Sequence, residues 1–161
     1  TLQSVSGHGL MWASASYNNK GIAMSRIGAI AEKFFDECET GKGWESCKNY
    51  CAEDASFSCH SYNLAEVKTV QEYSDWMTGI CEIMPDSKYD IKSVTMDEDR
   101  DHVSYFAVFS GTHIGEGGPV PPTNKWGEVD YVYVLEFQND KISHLTKIFN
   151  PHYINKQIGW E

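Results

Sequence analysis

Two carboxylates spaced two residues apart, Glu128 and Asp130, fall on one face of a segment that alternates as a strand does. Taken out of water, such a group holds its proton more tightly, so a buried one can act as acid or base near neutral pH. Histidine does the same with little perturbation. His60 closes a short strand-like run, His113 lies in a Gly- and Pro-rich stretch, and His144 shares a strand face with Thr146, Ile148 and Asn150. Proton transfer is therefore the chemistry this chain is best equipped for. Other chemistries are poorly supplied. Cys47 and Cys51, spaced i, i+4 on an expected helix and followed by Cys59-His60, match no common zinc pattern. Gly115, Gly117 and Gly118 lack the order of a phosphate loop and precede no helix. No serine sits in a nucleophile elbow.

These groups need elements to hold them. Residues 1–20 read as an N-terminal arm and 21–161 as one domain. Apolar residues recur with helical spacing from Gly21 to Thr40, at Ile27, Ile30, Ala31, Phe34, Phe35 and Cys38, and Gly41 and Gly43 end the run. Trp44–Ala52 predicts a second, short helix and Asp54–His60 a short strand. Thr69 and Glu72 form a capping box that opens a third helix. Tyr73, Trp76 and Met77 mark its buried face, and Pro85 stops it. After Pro85 everything reads as strands: Tyr89–Met96, His102–His113, Trp126–Gln138 and Lys141–Asn150. The last two flank Asn139-Asp140, a two-residue hairpin loop. Helices first and an antiparallel run second predict an α+β fold, a curved antiparallel sheet packed against about three helices. Such a sheet curls into a cone, a half-open barrel, with a pocket at its wide end.

Composition narrows the partners. Net charge is −10, and only Arg26 and Arg100 among the thirteen basic residues are arginine. No basic stripe exists to displace counterions from phosphates, so nucleic acid is not an expected partner, nor is an anionic membrane. Aromatic residues make up 13% of the chain, more than a minimal core needs, so some rings are expected to line a cavity for a hydrophobic small molecule. Five cysteines leave one unpaired in any disulfide scheme. Free thiols in a reducing, cytoplasmic setting are expected, and Thr1–Asn19 has neither the basic start nor the apolar run of a secretion leader.

The stretch Gly111-Thr-His-Ile-Gly115, followed by glycines and then Pro121-Pro-Thr-Asn-Lys125, resembles the motif of the SnoaL-like polyketide cyclases. Phe137–Ile142 is similar to that family's hairpin, Asn150–Gly159 to its C-terminal ending, and Phe34–Cys59 to the first elements of the nuclear transport factor 2 superfamily. Asn124 stands where the family has Gly, and His144 where an acidic residue is common. The resemblance implies an aldol cyclase, isomerase or lyase that needs neither metal nor organic cofactor. It makes Asp130, or Glu128, the base and His113 its partner or the general acid. His60, Trp76, His144, Thr146 and Asn150 would contact the ligand. Cys59 falls where related isomerases carry their acid, and Arg26 and Arg100 are badly placed for an epoxide hydrolase-like site. A homodimer is expected. Tyr131 and Tyr133 would join its surface if Asp130 points inward. A non-catalytic binding module or an assembly domain of the same fold is the alternative.

Overall fold

The computed structural model describes residues 25–161, so the expected arm over 1–20 lies outside the described residues. The first helix, α1, runs Arg26–Glu39. Ser25 caps it by accepting a hydrogen bond at Oγ from the Gly28 N–H at 3.1 Å. Gly41 and Gly43 follow with φ of 73° and 78°, left-handed values that end a helix without steric cost. A single turn, α2 (Trp44–Cys47), continues as a 3-10 turn over Lys48–Tyr50. Strand β1 then begins at Cys51 and ends at Cys59. Cys51 thus opens a strand and does not share a helix with Cys47. The capping box forms as expected at the head of α3 (Val70–Ile83): Thr69 Oγ1 accepts from Glu72 N–H, and the Glu72 carboxylate accepts from Thr69 N–H.

Strands β2 (Lys88–Asp97), β3 (His102–Thr112), β4 (Trp126–Gln138) and β5 (Lys141–Phe149) make the expected antiparallel run. In the hairpin joining β4 to β5, Asn139 and Asp140 both take positive φ, the geometry that matches strand twist. Strand β1 adds beside β5 in parallel, so the sheet is mixed and its order is β1-β5-β4-β3-β2. It is open, and its inner face carries Val103, Tyr105, Val129, Tyr131, Tyr133, Leu135 and Leu145 against α1 and α3.

One element departs from the reading of the tail as strand. Pro151–Ile158 folds as a helix, α4. Proline fits its first turn, Ile154 and Ile158 share one face at i, i+4, and Gly159 ends it at φ 81°. The helix seats on β4 at Gly127, where an added Cβ would stand 2.8 Å from Ile158. Beyond the end of β5, the Gln157 side chain exchanges hydrogen bonds with the Glu128 backbone, 2.9 and 3.1 Å, where a strand would otherwise continue. All five cysteines are thiols, four of them buried. Burial drives the Cys51 thiol up to about 12, which keeps it protonated and inert. No described helix is long and apolar enough to cross a membrane.

Candidate functional site

Along β4, Val129, Tyr131, Tyr133, Leu135 and Phe137 face the core, while Glu128 and Asp130 face out and are exposed. The parity is therefore the reverse of the one that would make these carboxylates catalytic. The reason is packing: the odd-numbered set is uniformly apolar or aromatic, and turning it outward would expose it while burying two charges. The same alternation along β5 turns His144, Thr146 and Ile148 to the outer side. There the His144 ring sits between Ser56 Oγ, 2.7 Å from Nδ1, and Ser58 Oγ, 3.0 Å from Nε2. His60, Thr146 and Asn150 border a surface hollow of about 550 Å³ at the ends of β1 and β5, whose lining also includes His152 and Lys147.

His113 is fully buried, but it acts as a fastening. Its backbone exchanges hydrogen bonds across the Pro-rich loop, N–H to Lys125 O at 3.0 Å and O from Asn124 N–H at 2.9 Å. Its Nδ1 accepts from the Trp160 indole N–H at 3.0 Å. Neutral His113 therefore carries its proton on Nε2, which has no partner and points at Gly118. Gly118 and Gly115 permit this packing: a Cβ on Gly118 would meet His113 Nε2 at 2.9 Å, and one on Gly115 would meet Glu82 O at 2.1 Å. The conspicuous loop motif thus clamps together the end of α3, the loop and the residues after α4. Neither Asp130 nor Glu128 reaches it.

The cavity of the cone lies elsewhere, between α3, the inner sheet face and α4. It measures about 50 Å³, or about 500 Å³ of unfilled space counting its open approach. Trp76, Met77, Phe109, Tyr131, Ile158 and Lys147 contribute to its wall. Lys147 is the chemically distinctive member. It belongs to the inward set of β5, between Leu145 and Phe149, and is only 5% exposed. The rings of Tyr73, Trp76, Tyr131, Tyr133 and Phe149 surround its Nζ at 4.8 to 5.7 Å from their centroids. Their negative faces stabilise a cation where water cannot.

A hydrogen-bonded chain leads inward from this lysine. Lys147 Nζ donates to Tyr73 Oη at 2.8 Å, and Tyr73 O–H donates to Glu39 Oε1 at 2.9 Å. Tyr133 O–H donates to the same Glu39 oxygen, with the two phenol oxygens 2.9 Å apart. Glu39 is 2% exposed and continues the buried stripe of α1, four residues after Phe35. A lysine and a glutamate are thus buried together, their charges bridged by a phenol instead of touching. Two oxygens stay without partners, Glu39 Oε2 and Tyr131 Oη. Burial, followed by the negative charge of Glu39, pushes the hydroxyls of Tyr73 and Tyr131 upward. Burial first, then the neighbouring Cys38 and Glu39, does the same to Tyr133. All three are therefore hydrogen-bond donors at neutral pH.

The residues after α4 are tied down beside the cavity. Trp160 borders the cavity, while Glu161 accepts from Tyr62 O–H at 2.6 Å and pairs with His152 at 2.6 Å. The Tyr62 bond, then His152 and Asn155, lower the Glu161 carboxyl to about 2. Among the described residues no group of three or more His, Cys, Asp or Glu side chains converges to hold a metal. The inward parity of position 147 was readable from Leu145 and Phe149. The position of Glu39 was readable from its spacing after Phe35.

An open sheet curled over helices around an apolar cavity is the arrangement of the ketosteroid isomerase-like proteins. One of these, from Catenulispora acidiphila, superposes with a TM-score of 0.61 at 16% identity, covering 81% of this chain and 92% of its own. The chain belongs to the SnoaL-like polyketide cyclase family, whose model matches residues 29–158. Its fold is similar to that of AclR from Streptomyces galilaeus, a candidate hydroxylase (TM-score 0.69, 19% identity, 85% of this chain and 87% of that one). It is also similar to IdmH from Streptomyces antibioticus, a candidate polyketide cyclase (TM-score 0.65, 18% identity, 84% and 99%). No curated protein matches it in sequence. Membership in this family supports a cyclase-type role on a small molecule.

Proposed function

We propose that the chain performs acid–base chemistry without a cofactor, of the aldol cyclase, isomerase or lyase type. Its substrate would be a hydrophobic cyclic or polyketide-like carbonyl compound held beside Lys147. The observation that carries this reading is a cationic side chain buried in the wall of an otherwise apolar cavity, with a single hydrogen-bonded partner. Ring closure of this type needs a proton removed next to a carbonyl and a donor for the enolate oxygen that results. Lys147 has N–H groups to spare, and the Tyr131 hydroxyl beside it has no partner. Donors fixed in a low-dielectric cavity stabilise developing negative charge far better than donors in water. These two supply the donors for the enolate oxygen. The Lys147 amine, once its own proton has passed through Tyr73 to Glu39, is the base. The resemblance assigns these roles to His113 with Asp130 or Glu128.

Small aromatic and alicyclic ketones should raise the melting temperature of the native chain. A ligand at a hundred times its dissociation constant adds about 2.7 kcal/mol of stability. Ile80→Trp, which fills the cavity, should remove that rise. A panel of ketones that leaves the native melting temperature unmoved would dispose of the cavity as a binding site.

The partner copy belongs to the same reading. Tyr131 and Tyr133 point inward, so they cannot supply a dimer surface. Phe106, Val132 and Ile148 stand in register across β3, β4 and β5 on the outer face, with Phe106 40% and Ile148 61% exposed. A second copy of this chain packed on that apolar row is the expected partner. Sedimentation should give a dimer, and Ile148→Lys should yield monomer with the cavity intact; a monomeric native chain would exclude the pairing.

A further inference from the structure

We infer that Lys147 captures its ligand covalently, its amine condensing with an apolar aldehyde or ketone to form an imine. This rests on the reading of the cavity as a carbonyl-binding site and names the bond formed there. Lys147 is the buried lysine among the described residues, and no carboxylate pairs with it directly. Its charge is answered only through Tyr73. That geometry allows it to shed a proton without water. The proton on Nζ passes to Tyr73 Oη as the Tyr73 hydroxyl proton passes to Glu39 Oε1. Each proton moves along a hydrogen bond already formed, and the phenol is unchanged. The result is a neutral amine and a neutral carboxylic acid, so two buried opposite charges vanish together. Glu39 is a suitable receiver, since its Oε2 is buried without a partner while it remains ionised.

A neutral amine in an apolar cavity is a nucleophile toward carbonyl carbon. Its lone pair forms the N–C bond as the carbonyl π electrons move to oxygen, where the amine's own proton neutralises them through the neighbouring hydroxyls. The carbinolamine then loses that oxygen as water, taking up the proton that returns from Glu39 through Tyr73. The sum is amine plus carbonyl plus one proton going to iminium plus water, with nothing oxidised or reduced. The iminium is again a cation at Nζ, in the ring of five aromatic faces already built around that position. It also acidifies the adjacent C–H, the proton that ring closure must remove.

The test is reductive trapping on the intact chain. Benzaldehyde or cyclohexanone is added, sodium borohydride follows, and the modified lysine is located by peptide mass spectrometry. One adduct is expected, on Lys147, forming ahead of any exposed lysine. Tyr73→Phe, which cuts the relay, should slow its formation about a hundredfold and shift the pH dependence of labelling upward. Lys147→Arg should show only the background of exposed lysines. Should that variant fail to fold, mapping in the native chain decides alone. Labelling spread over exposed lysines, with Lys147 unmodified, would overturn the imine. If the same probes still raise the melting temperature, the cavity reading survives and only the covalent step falls. If they do neither, both fall.

Discussion

Lys147→Met is expected to lower the unfolding free energy by about 3–5 kcal/mol, although methionine is the more apolar side chain in an apolar wall. The loss arises at Glu39. With Lys147 gone, a carboxylate 2% exposed keeps two phenol donors on one oxygen, nothing on the other, and no cation nearby to answer its charge. Glu39→Gln should be costly for the converse reason, leaving an ammonium caged by rings. The double variant, with both charges removed, should recover most of the loss, because a buried pair of this kind is weakly stabilising overall and mainly penalises the removal of one member. Urea denaturation of the four proteins measures the coupling directly. Losses that simply add would mean that the phenol bridge transmits no interaction, and the relay through Tyr73 would go with it.

Tyr131→Phe should separate function from stability in the opposite sense. The Tyr131 hydroxyl is buried and bonded to nothing. Burial pushes its pKa up, and the Glu39 carboxylate, its charged neighbour in the buried cluster, raises it further. Its removal should therefore leave stability unchanged or raise it by about 1 kcal/mol, the cost of one unsatisfied buried group. Carbonyl turnover should fall about a hundredfold, as when one donor to a developing oxyanion is lost. Tyr133→Phe is the control. Its hydroxyl bonds to the Glu39 carboxylate, so its loss should cost roughly 1.5–3 kcal/mol. A Tyr131→Phe chain as unstable as Tyr133→Phe would show that both hydroxyls serve the core and neither serves a ligand.

The tetrad of Lys147, Tyr73, Glu39 and Tyr133 was hidden because each member reads as something ordinary. Glu39 and Lys147 are charges at positions where charges are normally solvated, and Tyr73 continues an apolar helical stripe. Parity told more than it was asked. In Val129-Asp130-Tyr131-Val132-Tyr133 the aromatic members alternate with the rest, and that pattern alone turns Asp130 outward. The resemblance of the loop drew attention to His113 instead. Its geometry serves the docking of Trp160, a long-range contact for which the loop carries no local signal.

Local chemistry in the chain was enough to set the helix ends at Thr69 and Gly41, the Asn139-Asp140 turn and the four-strand antiparallel run, since each depends on neighbours a few residues away. The parallel addition of β1, the seating of α4 on Gly127 and the meeting of Glu39 with Lys147 came only from the folded whole. A side chain's burial, and hence the cost of its charge and the partner that must answer it, depends on which distant surfaces close over it.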